Sequence, residues 1–209
     1  MTNLIQRHKT RAVLLAALLL LCCGTAVPAQ PAAGQNKKPA RVVVVEFFWY
    51  GCPHCYAFEP YLQKWLKTKP DYIKFVRVPG ILKSQWVPFA KAYFTAEKLG
   101  VVDRIHERLF DAIHKQKRKF PDDNAIRDFF VEQGVDGKEF SRIYHSREIS
   151  DMVRQAYETQ REFRIASVPT LIINDKYRLN LAVAHSFPNM LKLVDRLARR
   201  ESGVAGAAH

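Results

Sequence analysis

The chain has 209 residues, four cysteines and a formal charge of +13. Two of the cysteines, Cys22 and Cys23, lie in an N-terminal leader, which leaves too few for a disulfide-stapled mini-protein, while the length suffices to bury a core of its own. The positive charge is spread over Arg41, Lys64, Lys67, Lys74, Lys83 and Lys98, with one dense cluster at 115–119. No zinc-finger spacing, glycine loop or aromatic–basic alternation accompanies it, so it reads as a solvated basic face and no nucleic acid partner is expected.

Residues 1–29 read as a secretory signal peptide: a basic head with Arg7, Lys9 and Arg11, an apolar run of 12 residues from Ala12 to Cys23, and small residues up to Ala29. The run is shorter than the roughly 20 residues a membrane span needs. Leucines precede Cys22 where a lipoprotein signal carries small residues. Cleavage after Ala29 would leave a soluble periplasmic protein, and losing the three leader cations would lower the charge from +13 to +10. Its remaining cysteines, Cys52 and Cys55, would then sit where disulfides persist.

Residues 30–40 are small, polar and proline-containing, a flexible arm. Arg41 to Trp49 is a β-branched and aromatic run, as in a strand covered on both faces. Pro53 suits the first turn of a helix. The apolar face of Cys55, Phe58, Tyr61, Leu62, Trp65 and Leu66 continues that helix towards Lys69-Pro70-Asp71. A second strand runs from Tyr72 to Val78. Strand–helix–strand places the cysteine pair at the carboxyl end of the first strand, where α/β folds carry their chemistry. Helical periodicity then takes over: Trp86–Leu99, Val101–Lys119, a helix opened by Phe120-Pro121-Asp122-Asp123 and stopped at Gly134, a short one from Asp136, and Glu148–Phe163. Such helices need to bury a face, so a bundle is expected. Ser167–Ile173 and Tyr177–Leu181 read as a late hairpin about the turn Asn174-Asp175-Lys176, followed by a helix from Phe187 to Arg200. The organisation is an α/β unit in two parts, 41–82 and 151–200, with an all-helical insertion at 83–150 and a loose tail at 201–209.

The motif Cys52-Pro53-His54-Cys55 has three candidate chemistries. Haem attachment needs histidine at position 56, where Tyr56 stands. Structural zinc wants four ligands, and His54 is the only extra one nearby. An inert disulfide of this spacing closes almost no loop. Dithiol–disulfide exchange accounts for the neighbours: the helix N-terminus favours a thiolate at Cys52, the exposed nucleophile, with Cys55 one turn inside as the resolving cysteine. His54 would tune the thiolate, and a more stable thiolate makes the disulfide a stronger oxidant. Glu46 interrupts an otherwise apolar strand. It is either a residue at the strand's exposed end or a buried proton acceptor for Cys55. Glu59 and Arg77 are its second-rank electrostatic partners.

Val45-Glu46-Phe47-Phe48 running into Cys52-Pro53-His54-Cys55-Tyr56-Ala57-Phe58-Glu59 resembles the DsbA family of bacterial periplasmic thiol–disulfide oxidoreductases. Gly134-Val135-Asp136-Gly137-Lys138-Glu139-Phe140, Val168-Pro169-Thr170 and Asn174-Asp175-Lys176-Tyr177-Arg178-Leu179-Asn180 extend the resemblance over nearly the whole mature chain. It implies a thioredoxin fold interrupted by a helical domain, with no cofactor beyond the Cys52–Cys55 disulfide. It also implies a dithiol oxidase that donates this disulfide to newly exported proteins and is reoxidised by a quinone-linked membrane partner of the DsbB type. In the family's terms Cys52 is the nucleophile, Cys55 the resolving cysteine, His54 the tuning residue, Glu46 the buried acid and Pro169 a cis-proline beside the disulfide. Val168, Thr170 and Pro53 would shape the substrate surface. Trp49-Tyr50-Gly51 and the shortened stretch 182–188 depart from the pattern. An isomerase or reductase of the same fold and a chaperone-like binding module remain alternatives. With no dedicated dimerisation domain in the sequence, a monomer is expected.

Overall fold

The computed structural model describes residues 40–204, so the signal peptide, most of the arm and residues 205–209 lie outside it. The valine run forms β1 (Val42–Phe48), α1 (Pro53–Leu66) follows after a tight turn, and β2 (Ile73–Pro79) pairs parallel to β1 with Glu46 opposite Arg77. Five helices come next: α2 (Val87–Lys98), α3 (Val102–His114), α4 (Asp123–Glu132), α5 (Gly137–Tyr144) and α6 (Arg147–Glu162). The chain then returns to the sheet with β3 (Thr170–Ile173) and β4 (Tyr177–Leu179), and closes with α7 (Leu181–Ala184) and α8 (Phe187–Ser202). Sheet order is β2-β1-β3-β4, with β3 antiparallel to β1. Among the described residues no helix is long and apolar enough to cross a membrane.

Alternation along β1 sends Val42 and Val44 to a core shared with Phe58 and Leu62 of α1 and Met190 and Val194 of α8. Phe47 goes to the opposite face, with Ile165 and Ile172. At the carboxyl end of β1, Phe48, Tyr50 and both active-motif cysteines join a third core built mainly by the helices, including Tyr93, Ile105, Phe110 and Phe130. The helical segment therefore packs against the end of the sheet where the cysteines lie.

Several boundaries differ from the sequence expectation. The third helical stretch stops at His114, because the chain leaves the helix at residue 115 and reaches a left-handed φ of 57° at Lys117. Leu181, expected to end the hairpin, starts a helical turn instead: the Asn180 side chain accepts from Val183 N and caps it. The last helix continues past Arg200 to Ser202. There Glu201 accepts from Asn174, Lys176 and Tyr177, and Ser202 O accepts from Ala40 N at 3.0 Å, so these two residues are not loose.

Candidate active site

β1 delivers the chain to the site, and the turn Trp49-Tyr50-Gly51 carries it into α1. The indole of Trp49 folds back over residue 51. A Cβ there would come within 2.3 Å of the ring, so only glycine fits. The indole stacks on Trp86, ring centroids 4.2 Å apart and planes 4° apart. Cys52 is the N-cap of α1 and its sulfur accepts from Cys55 N at 3.4 Å, while Pro53 occupies the first helical position, where a missing N–H costs nothing. Both cysteines are free thiols in this structure.

From the other side comes the loop before β3. The Val168–Pro169 bond is cis, as the family resemblance implies. The Val168 carbonyl lies 3.4 Å from the Cys52 sulfur and accepts from its thiol. Cys52 is 8% exposed, so the expectation of an openly exposed nucleophile is corrected, though Cys55, at 1%, is more deeply shielded. Pro53 and His54 are exposed and Val168 is half-buried. Thr170, expected among the substrate-facing residues, turns its side chain inward instead: it is 2% exposed and its hydroxyl donates to Ser167 O at 2.7 Å.

The electrostatics separate the two sulfurs. A hydrogen bond from the Cys55 side chain, together with backbone N–H groups of Cys55 and His54 and the His54 charge, brings the Cys52 thiol down to about 6 against the cost of burial. Burial pushes the Cys55 thiol strongly upward, and the neighbouring Cys52 and Glu46 add to the effect. One sulfur is therefore built to be a thiolate at neutral pH and the other to keep its proton.

Glu46 lies at 0% exposure in the middle of β1, which excludes the strand-end alternative. Arg77 Nε donates to its Oε2 at 3.1 Å, and its Oε1 is buried without a hydrogen-bond partner. Burial raises its pKa to about 8, opposed by Arg77 and helped by Glu59. Arg77 Nη2 also donates to both carboxylate oxygens of Glu59, at 3.3 and 3.1 Å. Sequence reasoning missed His106 and Tyr50. His106, 3% exposed, faces Glu59 Oε1 with Nε2 at 3.2 Å and the Tyr50 hydroxyl with Nδ1 at 2.8 Å. The available signal was the apolar stripe of α3: His106 falls on the same helical side as Leu109 and Phe110. His114 donates from Nε2 to Tyr50 O at 2.7 Å, so α3 grips the turn that precedes the motif at two points, both on Tyr50. Among the described residues no group of three or more metal-ligating side chains forms a metal site.

A central strand leading into a helix capped by the first of two cysteines, faced by a cis X–Pro loop, defines a thioredoxin-fold dithiol–disulfide oxidoreductase with a helical insertion. The family model described as Thioredoxin matches residues 27–196. The chain is 36% identical to the thiol:disulfide interchange protein DsbA of Burkholderia cepacia over 199 residues, covering 87% of this chain and 94% of that one. To the same-named protein of Pseudomonas aeruginosa it is 36% identical over 168 residues, 80% of each chain. The crystal structure of Pseudomonas aeruginosa DsbA superposes with a TM-score of 0.75 at 35% identity, covering 80% of this chain and 87% of that one. The chain belongs to the DsbA family, and it is a protein-disulfide oxidoreductase of oxidative folding whose redox chemistry rests on a cysteine pair.

Proposed function

We propose that Cys52 and Cys55 form the disulfide that this protein donates to reduced, newly exported proteins in the periplasm. A substrate thiolate attacks Cys52 Sγ, the Cys52–Cys55 bond breaks, and Cys55 leaves and takes up a proton. A second substrate thiolate then attacks the substrate sulfur of the mixed disulfide and expels Cys52 as a thiolate. The substrate gains one disulfide, the pair gains two electrons, and of the two thiol protons released one stays on Cys55 and one goes to solvent. Glu46 is the buried acid positioned to exchange the Cys55 proton, His54 assists the thiolate, and Val168 and Pro53 shape the surface beside it. A quinone-linked membrane partner of the DsbB type returns the pair to the disulfide.

The observation that supports the oxidising direction best is the placement of the Cys52 sulfur as the cap of α1, where it accepts from Cys55 N–H. A sulfur stabilised as thiolate leaves readily from a mixed disulfide and favours the reduced pair, which makes the disulfide oxidising. Equilibration with glutathione tests the direction: an oxidant is expected to come to balance at a potential above that of the glutathione pool. A potential below it would assign the protein to the reductase or isomerase side of its fold. Binding of unfolded chains with no disulfide transfer would leave a binding module.

A further inference from the structure

Two carboxylates, Glu46 on β1 and Glu59 on α1, share the single guanidinium of Arg77. With both ionised, a buried site would hold one uncompensated negative charge, so one proton in the pair is favoured. In such a coupled pair neither carboxyl owns the proton by default. The hydrogen bonds break the symmetry. Glu59 receives Arg77 Nη2 on both oxygens, Gln63 Nε2 at 3.1 Å and His106 Nε2 at 3.2 Å. Glu46 receives Arg77 Nε alone, and its second oxygen is buried with no partner.

We propose that His106 is a positioning residue for the thiol chemistry: as the Nε2–H tautomer, held there by the Tyr50 hydroxyl on Nδ1, it keeps Glu59 ionised and thereby leaves the exchangeable proton of the pair on Glu46. The tautomer follows from its partners. Burial, with the Arg77 charge, holds the imidazole below its ordinary pKa and neutral, so the nitrogen facing a carboxylate must carry the hydrogen. The other nitrogen then accepts from Tyr50. The remaining groups facing this imidazole do not compete for the role. From α2, Tyr93 presents its ring with centroids 6.1 Å apart, and from α3 itself Glu107 is exposed. Glu59 also lines a cleft of about 430 Å³ with Tyr56, Pro60, Gln63 and Glu107, whereas Glu46 is fully enclosed. The wet end of the network thus carries the charge and the dry end carries the proton, on the strand that leads into the cysteine motif. Through His106, the helical segment sets the protonation of the acid beside Cys55.

The inference rests on the reading of Glu46 as the acid that serves Cys55, but its test does not pass through the thiols. In reduced protein labelled with ¹³C at glutamate carboxyls, Glu46→Gln and Glu59→Gln assign the two resonances. In the wild type Glu46 is expected to titrate near 8 and Glu59 to stay ionised across the neutral range. A wild type with the proton on Glu59 and Glu46 ionised at pH 7 overturns the proposal, whatever the variants do. His106→Leu is expected to move proton occupancy towards Glu59 and lower the Glu46 midpoint by about one unit, a tenfold change in proton affinity. His106→Gln, which keeps a donor to Glu59, restores the wild-type curves. A folded His106→Leu protein with both titrations unmoved also overturns it. Full oxidase activity in Glu46→Gln, with the wild-type and His106→Leu curves as expected, would overturn the role of Glu46 at Cys55 while the assignment of the proton by His106 stands.

Discussion

Cys52 carries the sharpest expectations at the scale of single residues. Its thiolate absorbance is expected to rise with a midpoint near 6. A midpoint near the ordinary 9.0 would contradict the geometry. His54 is the weakest of the groups acting on this sulfur, after the Cys55 hydrogen bonds and the backbone of residue 54. His54→Leu is therefore expected to raise the midpoint by less than about one unit and to make the disulfide correspondingly less oxidising. Cys55→Ala is expected to accumulate mixed disulfides through Cys52, resolvable by non-reducing electrophoresis, because no internal thiol remains to release the substrate. Cys52→Ala should form none. The two cysteines were legible in the sequence because their chemistry depends on a spacing of three within one helix. The carboxylate site was half-legible: Glu46 stood out as a charge inside an apolar strand, and Arg77 and Glu59 followed by strand and helix offsets. His106 and Tyr50 did not, since they meet across 56 positions through packing of α3 that no local period encodes.

Two helix starts were legible because their caps are side chains with one purpose: Asp122 and Asp136 each accept from the backbone N–H three residues on. Ser146 and Ser186 cap α6 and α8 in the same way, without having marked those starts in the sequence. Ends were harder: His114 ends α3 where the apolar period alone would have carried the helix to residue 119. The loop between β2 and α2 depends on a tie that no motif reveals. Gln160 of α6, 4% exposed, donates from Nε2 to Ile81 O at 3.1 Å and accepts from Ile81 N at 2.6 Å, as a neighbouring strand would. The adjacent Gly80 sits against Val168, with 3.3 Å available between a Cβ there and Val168 Cγ1. Gln160→Ala leaves a buried donor and acceptor unpaired, which costs about 1–3 kcal/mol for each unsatisfied group. The expected loss of at least about 2 kcal/mol is measurable by urea denaturation, and a loss confined to a few tenths would show that water replaces the amide. Because the loop backs the Val168 edge, peptide-substrate KM is expected to rise more than kcat falls.

For the whole molecule, the stability of the reduced form links the two ionisable centres with opposite signs. Cys52 has a folded value of about 6, below its ordinary 9.0, so its contribution is complete above 9.0 and is lost as pH falls through 6. After allowing for partial solvent screening it is worth about 1 kcal/mol at pH 7. Glu46 has a folded value of about 8, above its ordinary 4.5, so its contribution is complete below 4.5 and is lost as pH rises through 8. Relative to wild type, Glu46→Gln is therefore expected to gain stability steadily between pH 4.5 and 8, and Cys52→Ser to lose it between pH 6 and 9. Thermal melts of the three reduced proteins across that range decide the matter, and parallel curves would remove both groups from the account. The fold as a whole also brings Ala40 and Ser202 together through a backbone hydrogen bond. The order in which the elements are threaded is thus separable from the architecture: a short linker could join these two positions, and new termini could open at the exposed Lys117, whose backbone is already left-handed. Such a circular permutant, with α3 and α4 separated in the chain, is expected to keep the Cys52 titration midpoint, which thiolate absorbance against pH would check.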